Sequence, residues 1–316
     1  MGTPTAFSGP TAAMLTLYQE DGAVDADAMA RYCHWLLQQG CTGLLMFGTT
    51  GEGPSLSVAE RQATLRAVIQ QGVPAERIVV GAVCTALPDT VALTRTAGEL
   101  GCAGALVLPP FYFRSAPADG VLAFMSTLLA QTGSPILLYH FPDMSGVTLT
   151  HEMVGALMRS HEGRMLGVKD SSGRLDSIAG WAQAFPDLLV FSGDDDLLRP
   201  GMQRGAAGVM TATCAFAPAL VATVQAEARE RLDATPKDEA RLNDLWRLIL
   251  NSPSVGDTIK MLFAHFTGDQ RWSRTRAPLA PVAGEVAAKI RDGIAALDRG
   301  SISGPIRSMP RIFADR

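Results

Sequence analysis

Lys169 is the residue of this sequence with the clearest potential for covalent chemistry. It follows an apolar run at 165–168 and precedes Asp170, a pattern typical of a buried strand that ends at a polar rim. No other lysine occurs before Lys237. An arginine keeps its proton near neutral pH, whereas a lysine can supply the neutral amine that attacks carbonyls. The alternative is a structural lysine that snorkels to the surface or pairs with Asp170.

Hydroxyl groups and a glycine-flanked turn follow other apolar runs of the chain. Tyrosine and threonine hydroxyls can relay protons while an amine condenses with a ketone, and backbone N–H groups of a turn can hold a carboxylate. Taken singly, each of these residues also fits a role as a rim aromatic, a loop residue or a helix cap. His140 is expected to face the opposite side of its strand and to pack between strands and helices. The candidates are Thr49 and Thr50 in the turn at 48–53, Tyr112, Tyr139 and the acidic run at 194–196.

The elements that would position these residues alternate between strands and helices. Helix start signals lie between the strands, with Ser57, Asp89 and Thr150 as predicted caps. Consecutive parallel strands need a crossover, so eight such units predict an α/β fold, the (β/α)8 TIM barrel, whose active site forms where the strands end. An open doubly wound sheet is the alternative, but residues 18–22 lack the glycine-rich nucleotide fingerprint. Strands are predicted at 12–17, 44–47, 78–83, 105–108, 135–139, 165–168, 188–191 and 208–211.

The C-terminal part of the chain has a different pattern. Strand signals stop after residue 235, and three helices are predicted at 237–250, 255–266 and 284–297. We therefore predict a catalytic barrel at 1–235, a C-terminal three-helix extension at 236–300 and a tail at 301–316.

Composition narrows the class of protein. Hydrophobic residues make up 47% of the 316 residues and charged residues 18%, which is typical of a globular chain with a large core. The net charge of -4 offers no footprint for nucleic acid or an anionic membrane. No apolar run approaches the ~18 residues of a membrane-spanning helix, and residues 1–10 lack the pattern of a secretion signal. The five cysteines and five histidines show neither paired nor ligand spacing, so we predict a cytoplasmic protein without a metal site.

Four separate motifs follow one another along the chain: Gly48-Thr49-Thr50-Gly51-Glu52, Tyr139 with Pro142 and Gly146, Gly167-Val168-Lys169-Asp170-Ser171-Ser172-Gly173, and Ser192-Gly193-Asp194. In order and spacing they resemble the signatures of the dihydrodipicolinate synthase / N-acetylneuraminate lyase family. The similarity covers the chain from about residue 9 to about residue 297. The resemblance implies a TIM barrel, usually a homotetramer built as a dimer of tight dimers. It also implies that pyruvate or another 2-oxo acid binds as a Schiff base, without a metal or an organic cofactor.

The resemblance further implies a role for individual residues. Lys169 would form the imine, and Tyr139 would act as the general acid and base that faces it. Thr50 would link Tyr139 to Tyr112, and in this family the residue that matches Tyr112 reaches in from the neighbouring subunit. Thr49 and Thr50 would hold the pyruvate carboxylate through backbone N–H and hydroxyl groups. The other substrate-binding positions implied in this way are Gly51, the carbonyl of Met210, Gly193 and, for sugar hydroxyls, Asp195.

The chain departs from the synthase that names the family at Met144. That enzyme has an arginine there, which grips the carboxylate of aspartate semialdehyde, whereas a thioether cannot pair with a carboxylate. Arg114 could supply a substitute charge, or be an ordinary surface arginine. The sequence of residues 141–146 is more similar to that of 2-keto-3-deoxy sugar acid aldolases of the same family.

The favoured function is therefore a Schiff-base lyase or aldolase that makes or cleaves a carbon–carbon bond between pyruvate and an aldehyde. A 2-keto-3-deoxy sugar acid is the favoured substrate, with Met144 near the aldehyde portion. The alternatives are 4-hydroxy-tetrahydrodipicolinate synthase, a dehydratase or deaminase that uses the same imine, and a 2-oxo acid sensor without catalytic activity.

Overall fold

Eight parallel strands close into one barrel in the order of the sequence. A computed structural model of the chain describes residues 9–298, 300 and 302–314. β1 pairs with both β2 and β8, so the sheet has no free edge. The predicted α/β fold, a (β/α)8 barrel, is confirmed. The strands are β1 Thr11–Ala13, β2 Gly43–Met46, β3 Ile78–Gly81, β4 Gly104–Val107, β5 Ile136–His140, β6 Met165–Asp170, β7 Leu189–Ser192 and β8 Gly208–Thr211.

Helices connect the strands and continue beyond the barrel. The first eight residues, in which no secretion signal is expected, lie outside the described residues. The same holds for residues 299, 301, 315 and 316 of the predicted extension and tail. The helices are α1 Ala26–Gln38, α2 Val58–Gln70, α3 Leu87–Glu99, α4 Ala118–Gln131, α5 Pro142–Ser145, α6 His151–Ser160, α7 Leu175–Ala184, α8 Leu198–Met202, α9 Thr213–Phe216, α10 Pro218–Glu230, α11 Glu239–Leu250, α12 Val255–Thr267, α13 Gly284–Leu297 and α14 Ser303–Arg307.

Two of the three predicted side-chain caps are confirmed. Ser57 and Glu60 form a reciprocal capping box at the start of α2. The Thr150 hydroxyl accepts a hydrogen bond from the Met153 N–H at 3.2 Å and caps α6. The prediction that Asp89 caps α3 is wrong. That helix already begins at Leu87, with a proline in its first turn, because the fixed φ angle of proline suits this position.

Side chains alternate between the inside and the outside of the barrel. Interior positions such as Leu45 form the central core, whereas Leu44 and Met46 pack outward against helices. The alternation continues to the strand ends, where Tyr139 belongs to the interior core. His140 points outward, as expected, and its ring centre lies 5.5 Å from that of Trp181 in α7.

The C-terminal helices pack against the barrel and against each other. Residues 302–314 of the predicted tail contact this extension through Phe313, whose ring lies 5.5 Å from that of Trp272. Phe313 is buried, with 1% of its surface exposed. A hydrogen bond from Arg31 of α1 to the carbonyl of Ile312 also connects this segment to the barrel. The segment is therefore part of the packed structure.

Helix length, the cysteines and the grouping of possible metal ligands relate to the predicted location and to the predicted absence of a metal site. None of the helices in the described ranges is long and apolar enough to cross a membrane. The five cysteines are free and buried, and burial raises the pKa of the Cys41 and Cys102 thiols to about 12. Across the same part of the chain, no group of three or more histidine, cysteine or acidic side chains is arranged to hold a metal ion.

Candidate active site

A cavity of about 530 Å³ opens at the carboxyl ends of the barrel strands. Its inner part consists of residues at or after the ends of β2, β5, β6, β7 and β8, and its outer wall comes from the C-terminal extension. In (β/α)8 barrels the active site lies at this face. Of the predicted site residues, those that line the cavity are Thr49, Thr50, Tyr139, Met144, Lys169, Gly193 and Met210.

Lys169 and Tyr139 meet inside this cavity. The lysine Nζ lies 3.5 Å from the tyrosine hydroxyl oxygen and 4.5 Å from the centre of its ring. Both residues are buried, with exposures of 5% and 2% respectively. A separation of 3.5 Å is at the long limit of a hydrogen bond, and such contacts often tighten only when substrate binds. The amine is thus sheltered from bulk solvent and faces a group that can carry a proton.

Asp170 fixes the end of β6 from the opposite side of the strand. Its Oδ1 accepts hydrogen bonds from the backbone N–H and the hydroxyl of Ser172, at 2.8 and 2.6 Å. Its Oδ2 accepts from the Ser177 hydroxyl at 2.5 Å and from the Trp181 indole N–H at 2.8 Å. Because this carboxylate faces the helices, the alternative in which Lys169 pairs with Asp170 is wrong. The four donors instead hold the backbone from which Lys169 projects.

The turn at 48–53 has a strained and closely packed backbone. Phe47 and Glu52 adopt φ angles of 61° and 56°, which are uncommon for residues other than glycine. A Cβ atom at Gly53 would lie 1.9 Å from the carbonyl oxygen of Phe47, so a larger residue cannot be accommodated without movement of the backbone. Two internal backbone hydrogen bonds of 3.1 and 3.0 Å close the turn. Strain of this kind is concentrated at functional sites.

The tip of this turn presents backbone N–H groups. Within residues 9–298, 300 and 302–314, no carbonyl or side chain accepts a hydrogen bond from the N–H groups of Thr49, Thr50 or Gly51. The Thr16 hydroxyl donates to the Gly51 carbonyl at 2.5 Å, which fixes the orientation of this peptide. Unpaired N–H groups beside threonine hydroxyls form a site suited to a carboxylate. Gly51 is buried behind this tip and does not itself line the cavity.

Two neighbouring aspartates after β7 have different surroundings. Asp194 lines the cavity, and burial, together with the charge of Asp196, raises the pKa of its carboxyl to about 6. Asp195 is buried and accepts a hydrogen bond from the Thr211 hydroxyl at 2.8 Å. Burial raises the pKa of its carboxyl to about 7. The structure therefore places Asp194 at the cavity, and not the predicted Asp195, whose side chain is directed to β8.

Tyr112 lies outside the cavity of its own chain. It is 78% exposed and contacts Phe113, which is 69% exposed, edge to face at 5.3 Å. The predicted role of Tyr112 in the site of a neighbouring subunit stays a prediction. Arg114 donates to the carbonyl of Asp143 at 3.5 Å and does not line the cavity either. A substitute charge from Arg114 is therefore absent from this cavity.

The outer wall of the cavity was missed by sequence reasoning. Trp246 and Leu250 of α11, Leu279 and the segment at 252–256 all line it. The sequence does signal a helix start, because Ser254 caps α12 with its side chain. Such a signal gives the position of a helix along the chain and not its place in the fold. The contact of this helix start with the barrel mouth depends on tertiary packing.

Comparisons with known proteins agree with this geometry. The family model described as the Dihydrodipicolinate synthetase family matches residues 6–297. A DapA-like lyase of Chloroflexus aurantiacus is 34% identical over 286 residues, which cover 90% of this chain and 94% of that protein. The chain belongs to the dihydrodipicolinate synthetase family. The crystal structure of dihydrodipicolinate synthase from Agrobacterium tumefaciens has 34% identity and a TM-score of 0.83, and covers 92% of this chain and 99% of that one.

Membership of the dihydrodipicolinate synthetase family fixes the class of chemistry. Its members are class I pyruvate-dependent lyases and aldolases, and this protein is an enzyme of that class. The family predicted from the four motifs is thus confirmed. A 2-keto-3-deoxygluconate aldolase variant of Sulfolobus solfataricus has a TM-score of 0.83, with 94% of this chain and 99% of that one covered. Its identity of 21% shows a shared fold alone.

Proposed function

We propose that this enzyme forms a Schiff base between Lys169 and pyruvate and makes or cleaves a carbon–carbon bond to it, with a 2-keto-3-deoxy sugar acid as its favoured substrate. The observation that carries the proposal is the buried Lys169 amine, 3.5 Å from the Tyr139 hydroxyl at the mouth of the barrel. Asp170, the acidic neighbour of Lys169, accepts its hydrogen bonds from other donors and leaves the amine unpaired by that carboxylate. Imine formation uses this amine and the Tyr139 hydroxyl.

Tyr139 moves the protons that imine formation requires. The neutral Lys169 amine attacks the ketone carbon, and a proton moves from the attacking nitrogen to the carbonyl oxygen to give a neutral carbinolamine. The hydroxyl of this intermediate leaves as water after it receives a proton, and the protonated imine remains. The Tyr139 hydroxyl is hydrogen-bonded to the amine and can donate and accept these protons.

The protonated imine then accepts the electron pair of the bond that breaks. In the cleavage direction the C4 hydroxyl loses its proton to a base, the C3–C4 bond breaks, and its electron pair forms the enamine of pyruvate while the aldehyde leaves. Protonation of the enamine carbon and addition of water to the imine release pyruvate and regenerate the amine. Synthesis follows the same steps in reverse.

The turn at 48–53 supports the orientation of the pyruvate carboxylate. Thr49 and Thr50 line the cavity, and their backbone N–H groups donate no hydrogen bond to any described residue. A carboxylate bound there places its ketone carbon between the turn and β6, where the Lys169 amine can reach it. Gly193 and Met210 complete the inner surface of the cavity on the side of β7 and β8.

The charges of the cavity favour an uncharged aldehyde over aspartate semialdehyde. Of the described side chains that line the cavity, Lys169 alone is cationic. Met144, which is 47% exposed, occupies the position at which the synthase has its arginine. A second carboxylate would therefore be desolvated without a partner. Asp194 and the nearby serines offer hydrogen-bond acceptors and donors to the hydroxyl groups of a sugar-derived aldehyde.

The proposed assembly is a homotetramer built from tight dimers. Tyr112 and Phe113 form an exposed aromatic pair, with 78% and 69% of their surfaces accessible in the single chain. We propose that Tyr112 enters the cavity of a neighbouring subunit and joins the proton relay through Thr50. A cytoplasmic location is the matching proposal for a chain whose cysteines are free thiols.

Borohydride trapping tests the proposed imine. The enzyme is incubated with pyruvate, reduced with borohydride and weighed, and the modified peptide is then sequenced. We expect one adduct, on Lys169. Absence of this adduct would overturn the proposal and would leave a sensor or an unrelated role.

Product analysis then separates the candidate activities. We expect pyruvate release from a panel of 2-keto-3-deoxy sugar acids and little consumption of aspartate semialdehyde in the presence of pyruvate. The reverse result would support the synthase. Formation of a new 2-oxo acid without aldehyde release would support the dehydratase or deaminase.

A further inference from the structure

A buried ion pair connects the carboxylate-binding turn to the C-terminal extension. Glu52, the last residue of the turn before Gly53, pairs with Lys260 of α12, and the side chain of each is 1% exposed. The two residues are 208 positions apart in the sequence. A buried pair of this kind stabilises a fold little more than packed apolar residues would, because desolvation offsets much of the attraction. The main effect of the pair is therefore to fix the position of the turn relative to α12.

The Glu52 carboxylate has further donors that fix its position. Its Oε2 accepts hydrogen bonds from the Tyr18 hydroxyl at 3.2 Å and from the Arg276 backbone N–H at 3.3 Å. The Thr275 hydroxyl lies 3.2 Å from the same oxygen, although its closer acceptor is Asp257, at 2.7 Å. This carboxylate is thus held from two distant parts of the chain.

Lys260 is held equally firmly on the side of the extension. Its Nζ donates to the carbonyl of Arg274 at 2.8 Å and lies 4.6 Å from the centre of the Tyr18 ring. Lys260 does not line the cavity. It can therefore influence a bound substrate only through the residues that it contacts.

α12 touches the turn at a second point. Gly256 lies four residues before Lys260 and so on the same face of the helix. A Cβ atom at Gly256 would lie 2.8 Å from the carbonyl oxygen of Thr50, which shows how closely the helix approaches the turn. One face of α12 therefore contacts the turn at Thr50 and, through the ion pair, at Glu52.

We propose that Lys260 and Glu52 are positioning residues, which hold the N–H groups of the turn in the geometry that binds the pyruvate carboxylate. The inference rests on the proposed function of this cavity. Glu52 has a φ angle of 56°, so its backbone needs an external restraint to stay in this conformation. Lys260 supplies that restraint from outside the cavity, through its pair with Glu52, which lines the cavity. Lys260 thereby sets the affinity for pyruvate although it does not line the cavity.

The test measures pyruvate affinity in Lys260→Met, by the pyruvate concentration that gives half-maximal borohydride adduct. We expect this concentration to rise by about tenfold or more, because a shift of the turn by a fraction of an ångström misaligns its N–H groups. At saturating pyruvate we expect a full adduct on Lys169 and a turnover number close to that of the unmodified enzyme. A role in stability alone would lower the melting temperature and leave this concentration unchanged.

The double variant Glu52→Gln/Lys260→Met separates positioning from stability. It removes both charges of the pair and leaves neither buried alone, so we expect its melting temperature to recover relative to Lys260→Met. The ion pair that positions the turn is still absent in the double variant, so its affinity for pyruvate should stay low. If Lys260→Met alone does not fold, this variant provides the measurement.

Arg199→Met is the matched control. Arg199 of α8 pairs with Glu239 of α11 at 2.9 Å and also joins the barrel to the extension, but neither residue lines the cavity. We expect less than about twofold change in pyruvate affinity for this variant. A folded Lys260→Met or double variant with unchanged affinity would overturn the inference while the proposed function stands. An unmodified enzyme that forms no adduct would instead contradict the proposed function.

Discussion

Tyr139 and Lys169 occupy paired positions on the neighbouring strands β5 and β6. The hydrogen bonds of the sheet therefore set the distance between their backbones, and no loop has to be ordered for the two side chains to meet. The next pair along the same strands, His140 and Asp170, faces the helices. The period of two thus separates the reacting groups from those that anchor the strand ends.

Replacement of Lys169 by arginine should abolish imine formation, because a guanidinium does not act as a nucleophile near neutral pH. We expect no borohydride adduct with pyruvate and no measurable turnover, while the far-UV circular dichroism spectrum is unchanged. Lys289→Arg is the control, since Lys289 is an exposed lysine of α13 and its replacement should leave the adduct in place. A full adduct in Lys169→Arg would assign the chemistry to a different amine.

Replacement of Tyr139 by phenylalanine should slow turnover but allow pyruvate to bind. The ring and its packing are kept and only the hydroxyl is removed, so we expect a loss of ~10²-fold or more in turnover number, as is usual for a positioned proton donor. Tyr32→Phe is the control. Its hydroxyl is also buried but bonds to the carbonyl of Ala215, at 2.6 Å, outside the cavity. Equal turnover in Tyr139→Phe and the unmodified enzyme would exclude Tyr139 as the acid and base.

The proposed role of Tyr112 can be tested by subunit mixing. Lys169→Arg and Tyr112→Ala are each expected to be impaired, but a mixed dimer would contain one site with both residues intact if Tyr112 acts in the neighbouring subunit. After random reassociation about a quarter of the sites should regain activity. A mixture of Lys169→Arg with Tyr139→Phe should show no such recovery, because both residues belong to one chain. Failure of the first mixture to gain activity would place Tyr112 outside the relay.

Asp195→Asn should change the pH dependence of stability. Burial raises the pKa of the Asp195 carboxyl from 3.8 to about 7, so the folded chain holds a proton that the unfolded chain has lost between these values. The unfolding free energy therefore falls as the pH rises from about 4 to about 7 and is level above that range.

The asparagine variant removes this titration and keeps an oxygen for the Thr211 hydroxyl. We expect its stability relative to the unmodified enzyme to be higher at pH 8 than at pH 5, by on the order of 1 kcal/mol. Thermal unfolding at the two pH values provides the measurement, with Asp196→Asn as the control on the same turn. The raised pKa of Asp194 acts in the same direction in the variant and in the unmodified enzyme, so part of the dependence of stability on pH remains. A relative stability that is equal at both pH values would contradict the assignment.

The barrel and its inner site were predictable because their signals are local. The apolar runs that lead to Tyr139 and Lys169 predict the ends of both strands to within two residues of the observed ends, at His140 and Asp170. Ser57 and Glu60 likewise predict a helix start, since a capping box depends on residues three positions apart. Periodicity and capping chemistry do not require knowledge of the tertiary fold.

The remainder depends on geometry that neighbouring residues do not encode. A 3-10 helix after β7 turns Asp195 towards Thr211 and leaves Asp194 at the cavity, and the sequence of three successive aspartates gives no sign of this rotation. The contact of Lys260 with Glu52 joins residues 208 positions apart. Tyr112 lies outside the cavity of the single chain, so its proposed role depends on an assembly of subunits.

The wall of the cavity that lies outside the barrel has a consequence for how new specificities arise. The groups that would perform the covalent step project from strands, whereas Trp246, Leu250 and Leu279 belong to the appended helices and their loops. Substitutions at these three positions can reshape the space offered to the aldehyde while the nucleophile and its proton donor stay unaltered. Replacement of the extension by that of a relative would accordingly exchange one aldehyde substrate for another while the reactive residues of the barrel are unchanged.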